Sequence, residues 1–177
     1  MSYKKDIINR VRNSDLWPDY GSSDFLVTLN VLADKSLKKK SIEGALAAVL
    51  IYHQLTEEQL KLLLRSAQFF IQLSVFPAEI IFTEKKRQMF GQVMDELKQT
   101  ISFSKKDKIL ELAASLNNHR IDLVHKLASR QTTDDIVSQA IKVKNTFDQL
   151  FRMIDCDSYE FRVAFKDFEK DISIDHP

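Results

Sequence analysis

Three glycines (Gly21, Gly44, Gly91) and three prolines (Pro18, Pro77, Pro177) are all the punctuation this 177-residue chain has. A β-rich protein of that length needs many more residues able to reverse the chain at hairpin turns. The scarcity therefore predicts an all-α fold before any periodicity is counted. Apolar residues at three- and four-residue spacing then outline the helices. Tyr3 to Arg12 reads as a first short helix, followed by a loop carrying Trp17-Pro18 and Tyr20-Gly21. Ser22-Ser23-Asp24 supplies hydroxyl and carboxylate caps for a helix holding Phe25, Leu29 and Leu32, and Ser41 caps an apolar helix from Ile42 to Leu55. Thr56-Glu57-Glu58-Gln59 has the spacing of a capping box, which predicts a fresh helix start through Leu60, Leu63, Leu64, Ala67 and Ile71. Pro77 must end it, because a proline drives the preceding residue away from helical angles.

Ile80-Ile81-Phe82 reads as an extended or buried loop, and helix resumes through Phe90, Val93, Met94 and Leu97. Ser104-Lys105-Lys106-Asp107 opens another helix, Thr132-Thr133-Asp134-Asp135 caps the next through Ile136 to Phe151, and Ser158 to about Asp171 forms a last one. The expected architecture is a single all-helical domain, a bundle of about seven helices. Its expected segments are residues 1–20 (helix and loop), 22–82, 83–171 and a frayed tail at 172–177.

The charge content narrows the function. A formal net charge of +1, with 29% charged residues, gives no overall field for nucleic acid, although a small cleft needs only a local basic patch. Cys156 is the only cysteine, which rules out an intramolecular disulfide and a cysteine-based zinc site. The longest apolar run, Ala45 to Tyr52, is far short of a bilayer span, and no signal-peptide core follows Lys4-Lys5. The expected location is the cytoplasm, with no membrane partner, no metal and no cofactor. Phosphate-binding glycine loops, nucleophile elbows and zinc-protease signatures are all missing from the sequence.

Reactive side chains concentrate in Asn117-Asn118-His119-Arg120-Ile121-Asp122-Leu123-Val124-His125. In an unbroken helix the apolar stripe runs Ile109, Ala113, Leu116, position 120, Leu123 and Leu127, so Arg120 occupies a place where an apolar residue is due. A guanidinium there must be paired or must face a polar cavity. Asp122 shares a helical face with His125, three residues on, close enough to orient the imidazole. Arg120 and His125 lie about 140° apart around an ideal helix. They converge only if the helix kinks or begins near Arg120, or if two copies meet across a symmetry axis. The simpler reading of the pair is a structural salt bridge and a half-buried histidine. His53, at the end of an apolar helix, reads as a core-edge residue, and the phenylalanines at helical spacing read as core.

Gln88-Met89-Phe90-Gly91-Gln92-Val93, Leu97, a charged spacer and then Leu116 to Leu127 resemble the helical domains of the HEPN superfamily. Those domains are marked by an arginine, four to six residues and a histidine, which Arg120 to His125 satisfies with four. The likeness spans residues 88 to 155; upstream it extends only to helical character. One position departs: the residue after the arginine, usually polar and often asparagine, is Ile121. The resemblance implies a homodimer and a metal-independent endoribonuclease or RNA-binding protein of toxin–antitoxin or defence type. In it, His125 is the general base, Arg120 stabilises phosphate charge, and Asp122 supports the histidine. Asn118 and His119 stand ready to contact RNA, and an antitoxin is an implied partner. The alternative from another class is a non-catalytic helical regulator or protein-interaction module of the same fold.

Overall fold

The computed structural model describes residues 3–83, 88–129 and 132–175, without the side chains of residues 128 and 171–175. Among the described residues there are six α-helices and no strand: α1 (Tyr3–Arg12), α2 (Ser23–Lys38), α3 (Ile42–Ser74), α4 (Phe90–Gln99), α5 (Lys106–His125) and α6 (Thr133–Asp175). Two 3-10 turns, Ser14–Leu16 and Leu127–Ser129, complete the regular structure. No helix among these residues is long and apolar enough to cross a membrane.

The all-α expectation holds, but the division into about seven helices does not. The chain runs without interruption from Ile42 to Ser74, through the position where Thr56 was expected to cap a new helix. The Thr56 hydroxyl donates back to the carbonyl of Tyr52 at 2.8 Å, one turn earlier, and the residue is fully buried. That back-bonded geometry is available to threonine inside a helix and leaves no cap to form. Ser158 likewise lies inside a continuous α6 that reaches Asp175, four residues beyond the expected end. Where caps were read correctly, the bonds are local. Ser41 Oγ accepts from the Gly44 N–H at 3.1 Å, and Thr132 Oγ1 accepts from that of Asp135 at 3.2 Å. The backbone N–H of Met89 donates to Gln92 Oε1 at 3.0 Å to open α4, and α3 ends three residues before Pro77.

The chain forms two compact units interleaved in sequence. One comprises Met1–Asp19, Leu60–Ser104 and Asp155–Pro177. Its core is strongly aromatic: Phe165 meets Trp17 at 5.5 Å and Phe69 at 4.9 Å between ring centres, and Phe161 meets Phe70 and Phe103 edge-on. Trp17 is buried and its indole N–H donates to the Val11 carbonyl, which meets the need of a buried indole for an acceptor.

The other unit comprises Tyr20–Gln59 and Lys105–Ile154. Ala33 and Leu37 of α2, Ala48, Val49, Tyr52 and Leu55 of α3, Leu116 and Leu123 of α5, and Ile136, Ala140, Val143 and Phe147 of α6 lie in its core. A polar network is set into it. The hydroxyl of buried Tyr52 donates to Asp34 at 2.6 Å, and Lys144 reaches both Asp34 and Asp148. Lys106, at the start of α5, is buried, and that burial holds its ammonium below the usual lysine range.

Candidate functional site

α5 carries the constellation in a regular stretch of helix that ends at His125. Ile109, Ala113, Leu116 and Leu123 of the stripe read from the sequence are buried, as is Leu112 beside them, while Leu127, just past the helix, is partly buried. Arg120 sits on that stripe and is partly buried. Its Nε is shut off from solvent and has no hydrogen-bond partner among the described residues.

The nearest chemistry comes from α3. His53 Nε2 lies 3.1 Å from Asn117 Oδ1. An amide oxygen only accepts, so Nε2 carries the proton in this contact. The imidazole is held below its ordinary pKa, first by burial and further by the positive charge of Arg120. The Asn117 bond and the Glu57 carboxylate, one turn along α3, oppose the shift without reversing it. His53 is therefore uncharged at neutral pH, as a histidine beside a guanidinium should be. His53, Asn117, Glu57 and Arg120 thus form a polar cluster at the margin of the apolar core. In the sequence His53 has the pattern of a core-edge residue at the end of an apolar run. No local pattern joins it to an asparagine 64 positions away.

The remaining candidates lie elsewhere around α5. Asn118, Asp122 and His125 fall within about 60° of one another on the helical wheel, a shared face. Asn118 and His125 are exposed and Asp122 is partly buried. Asp122 forms an ion pair with Lys126, the residue following α5. His119 projects from a different side and is partly buried. The helix is unbroken between Arg120 and His125, so one chain does not bring these two side chains onto one face. The sector between them is apolar and open: Ile121 is 37% exposed and Val124 42%. Among the described residues no three of His, Cys, Asp and Glu gather into a set able to hold a metal ion. His176 lies outside the described residues.

Comparison with protein-family models, with curated proteins and with solved structures returns no match. The chemistry of the α5 surface is accordingly read from its geometry.

Proposed function

We propose that the protein is a HEPN-like, metal-independent endoribonuclease or RNA-binding protein of the toxin–antitoxin or defence type, whose site is completed by a second copy of the chain. The observation that carries this reading is Arg120, a guanidinium on an otherwise buried stripe with an unmet N–H beside an uncharged histidine. A positive group held in that way suits a phosphate oxygen, which brings charge and acceptors together.

The helix geometry supports a dimer. Ile121 and Val124 occupy the sector between Arg120 and His125, and both are exposed. A second α5 laid on this strip buries apolar surface and sets Arg120 of one copy toward His125 of the other. Ile121, where HEPN-like domains usually have a polar residue, then serves as an interface residue. In the assembled site, His125 removes the proton from a ribose 2′-hydroxyl and the resulting oxygen attacks the adjacent phosphorus. Arg120 stabilises the charge that builds on the phosphate oxygens. The bond from phosphorus to the 5′-oxygen breaks as the new one forms, and the departing oxygen takes a proton from water, which leaves a cyclic phosphate and a free 5′-hydroxyl; the requirement for the 2′-hydroxyl restricts cleavage to RNA.

The test is cleavage of a labelled single-stranded RNA in EDTA. Wild type cuts, whereas His125→Ala and Arg120→Ala each lose activity by about a hundredfold or more. A wild-type protein that leaves RNA intact refutes the nuclease.

A second reading, a non-catalytic helical interaction module, draws on a separate observation: Asp122 forms an ion pair with Lys126. That module binds no RNA at all, and the exposed Ile121 and Val124 serve a protein partner.

A further inference from the structure

The other compact unit holds a cleft of about 360 Å³ lined by Arg10, Leu16, Pro18, Arg65, Gln68, Phe69, Gln72 and Phe82. Two of these residues carry positive charge, and none is acidic. Arg65, Gln68, Phe69 and Gln72 stand at i, i+3, i+4 and i+7 on α3, so they share one face. Arg10 reaches in from α1.

Both guanidiniums are held by neutral groups. Arg10 Nη1 donates to Gln72 Oε1 at 3.2 Å, and its guanidinium carbon lies 4.3 Å from the centre of the Phe69 ring. Gln72 is itself anchored, its Nε2 donating to the Ile80 carbonyl at 3.1 Å. Arg65 Nη2 donates to the backbone carbonyl of Asp19 at 3.0 Å, while the Asp19 carboxylate faces Arg162 at 3.5 Å. Among the described residues neither Arg10 nor Arg65 forms an ion pair with a carboxylate. A guanidinium offers five N–H groups in a fixed fork, and the bonds above use one on each arginine. Both side chains are partly buried, which strengthens their field compared with arginines free in water. Two fixed, partly buried cations with spare donors, in a cleft also lined by the apolar Leu16, Pro18 and Phe82, form a receptor for a charged head on a flat body.

We propose that this cleft binds a small organic anion: a carboxylate or phosphate carried on an aromatic ring, the anionic oxygens on Arg10 and Arg65 and the ring against Leu16, Pro18 and Phe82. The cleft is of ligand size, since small-molecule pockets begin at about 300 Å³. Cation–π contact with Phe69 and the bond to Gln72 fix Arg10 before a ligand arrives, so little ordering is left for binding. The site is separate from the Arg120 cluster and does not rest on the nuclease reading.

The experiment is calorimetric titration of the full chain with phenyl phosphate, benzoate, inorganic phosphate and benzyl alcohol. At least one aromatic anion saturates below ~1 mM and binds about tenfold tighter than inorganic phosphate, which lacks the ring. Benzyl alcohol, which lacks the charge, does not saturate in that range. Phenyl phosphate and benzoate separate a phosphate site from a carboxylate site. Arg10→Gln and Arg65→Gln each weaken binding by about tenfold or more, and Lys108→Gln, in the other unit, leaves it unchanged. Among the described residues Arg65 makes only the Asp19 carbonyl bond, so Arg65→Gln decides the matter even if loss of Arg10 disturbs folding; circular dichroism confirms its helix content. The proposal is overturned if neither aromatic anion saturates, if benzyl alcohol binds as tightly, or if Arg65→Gln binds like wild type.

Discussion

His53 connects pH to stability at the level of one side chain. Burial and Arg120 hold its pKa below the ordinary value of 6.5, so the folded protein resists a proton that the unfolded chain accepts. The unfolded state therefore binds more protons as the pH falls through the ordinary histidine value, and stability falls with it. Above that value both states are uncharged at this residue and the effect vanishes. Urea unfolding from pH 8 to pH 5 records a decline that begins near about 6.5. His53→Gln keeps a donor for Asn117 and lacks the titration, so its profile is flatter in that range; an unchanged slope contradicts the assignment. Tyr52 makes the companion case. Burial alone raises the Asp34 carboxyl, but the Tyr52 hydroxyl and the Lys144 ammonium more than offset it, and its pKa ends below the usual carboxylate value. Tyr52→Phe removes one hydrogen bond to a charged acceptor and should cost roughly 1.5 kcal/mol, read as a lower urea midpoint with an unchanged m-value. Of these residue-level features only Arg120 was legible in the sequence. A charged residue on an apolar stripe breaks a local pattern, whereas the His53–Asn117 and Tyr52–Asp34 contacts join separate helices and break none.

Among the elements, the start of α3 shows most clearly how tertiary contact decides what local preference cannot. Gly44 sits in its first turn, where alanine is the better helix former by about 1 kcal/mol. A Cβ at that position falls 2.3 Å from the backbone oxygen of Ser36, near the end of α2. A main-chain carbonyl cannot turn aside as a side chain can, so helices or backbone must shift. Gly44→Ala is therefore expected to destabilise by roughly 1–2 kcal/mol despite its better propensity, measured by the same denaturant midpoint. A gain in stability contradicts the close packing of α2 on α3. The same tension explains which helix boundaries were readable. Ser41 and Thr132 cap as their sequence implies because the accepting oxygen and donating N–H are three residues apart. Thr56 has an equally good local signature, yet it is buried and bonded to Tyr52. Packing on both sides of that point keeps α3 continuous, and nothing within four residues reveals it.

At the scale of the whole molecule, we propose that two chains share the site on α5. Arg120 faces the core margin, His125 is exposed about 140° away, and exposed Ile121 and Val124 lie between them. The separation of Arg120 and His125 and the option of two copies meeting are legible in the residue spacing; the structure adds that the helix is unbroken through His125 and that the apolar strip between them is exposed. The most direct measurement mixes Arg120→Ala chains with His125→Ala chains, each inactive alone, and assays metal-free RNA cleavage. If each site takes its arginine from one copy and its histidine from the other, half the dimers regain one intact site. The mixture then recovers roughly a quarter of wild-type activity. A mixture as inactive as its parents, beside a wild type that cuts, contradicts the shared site.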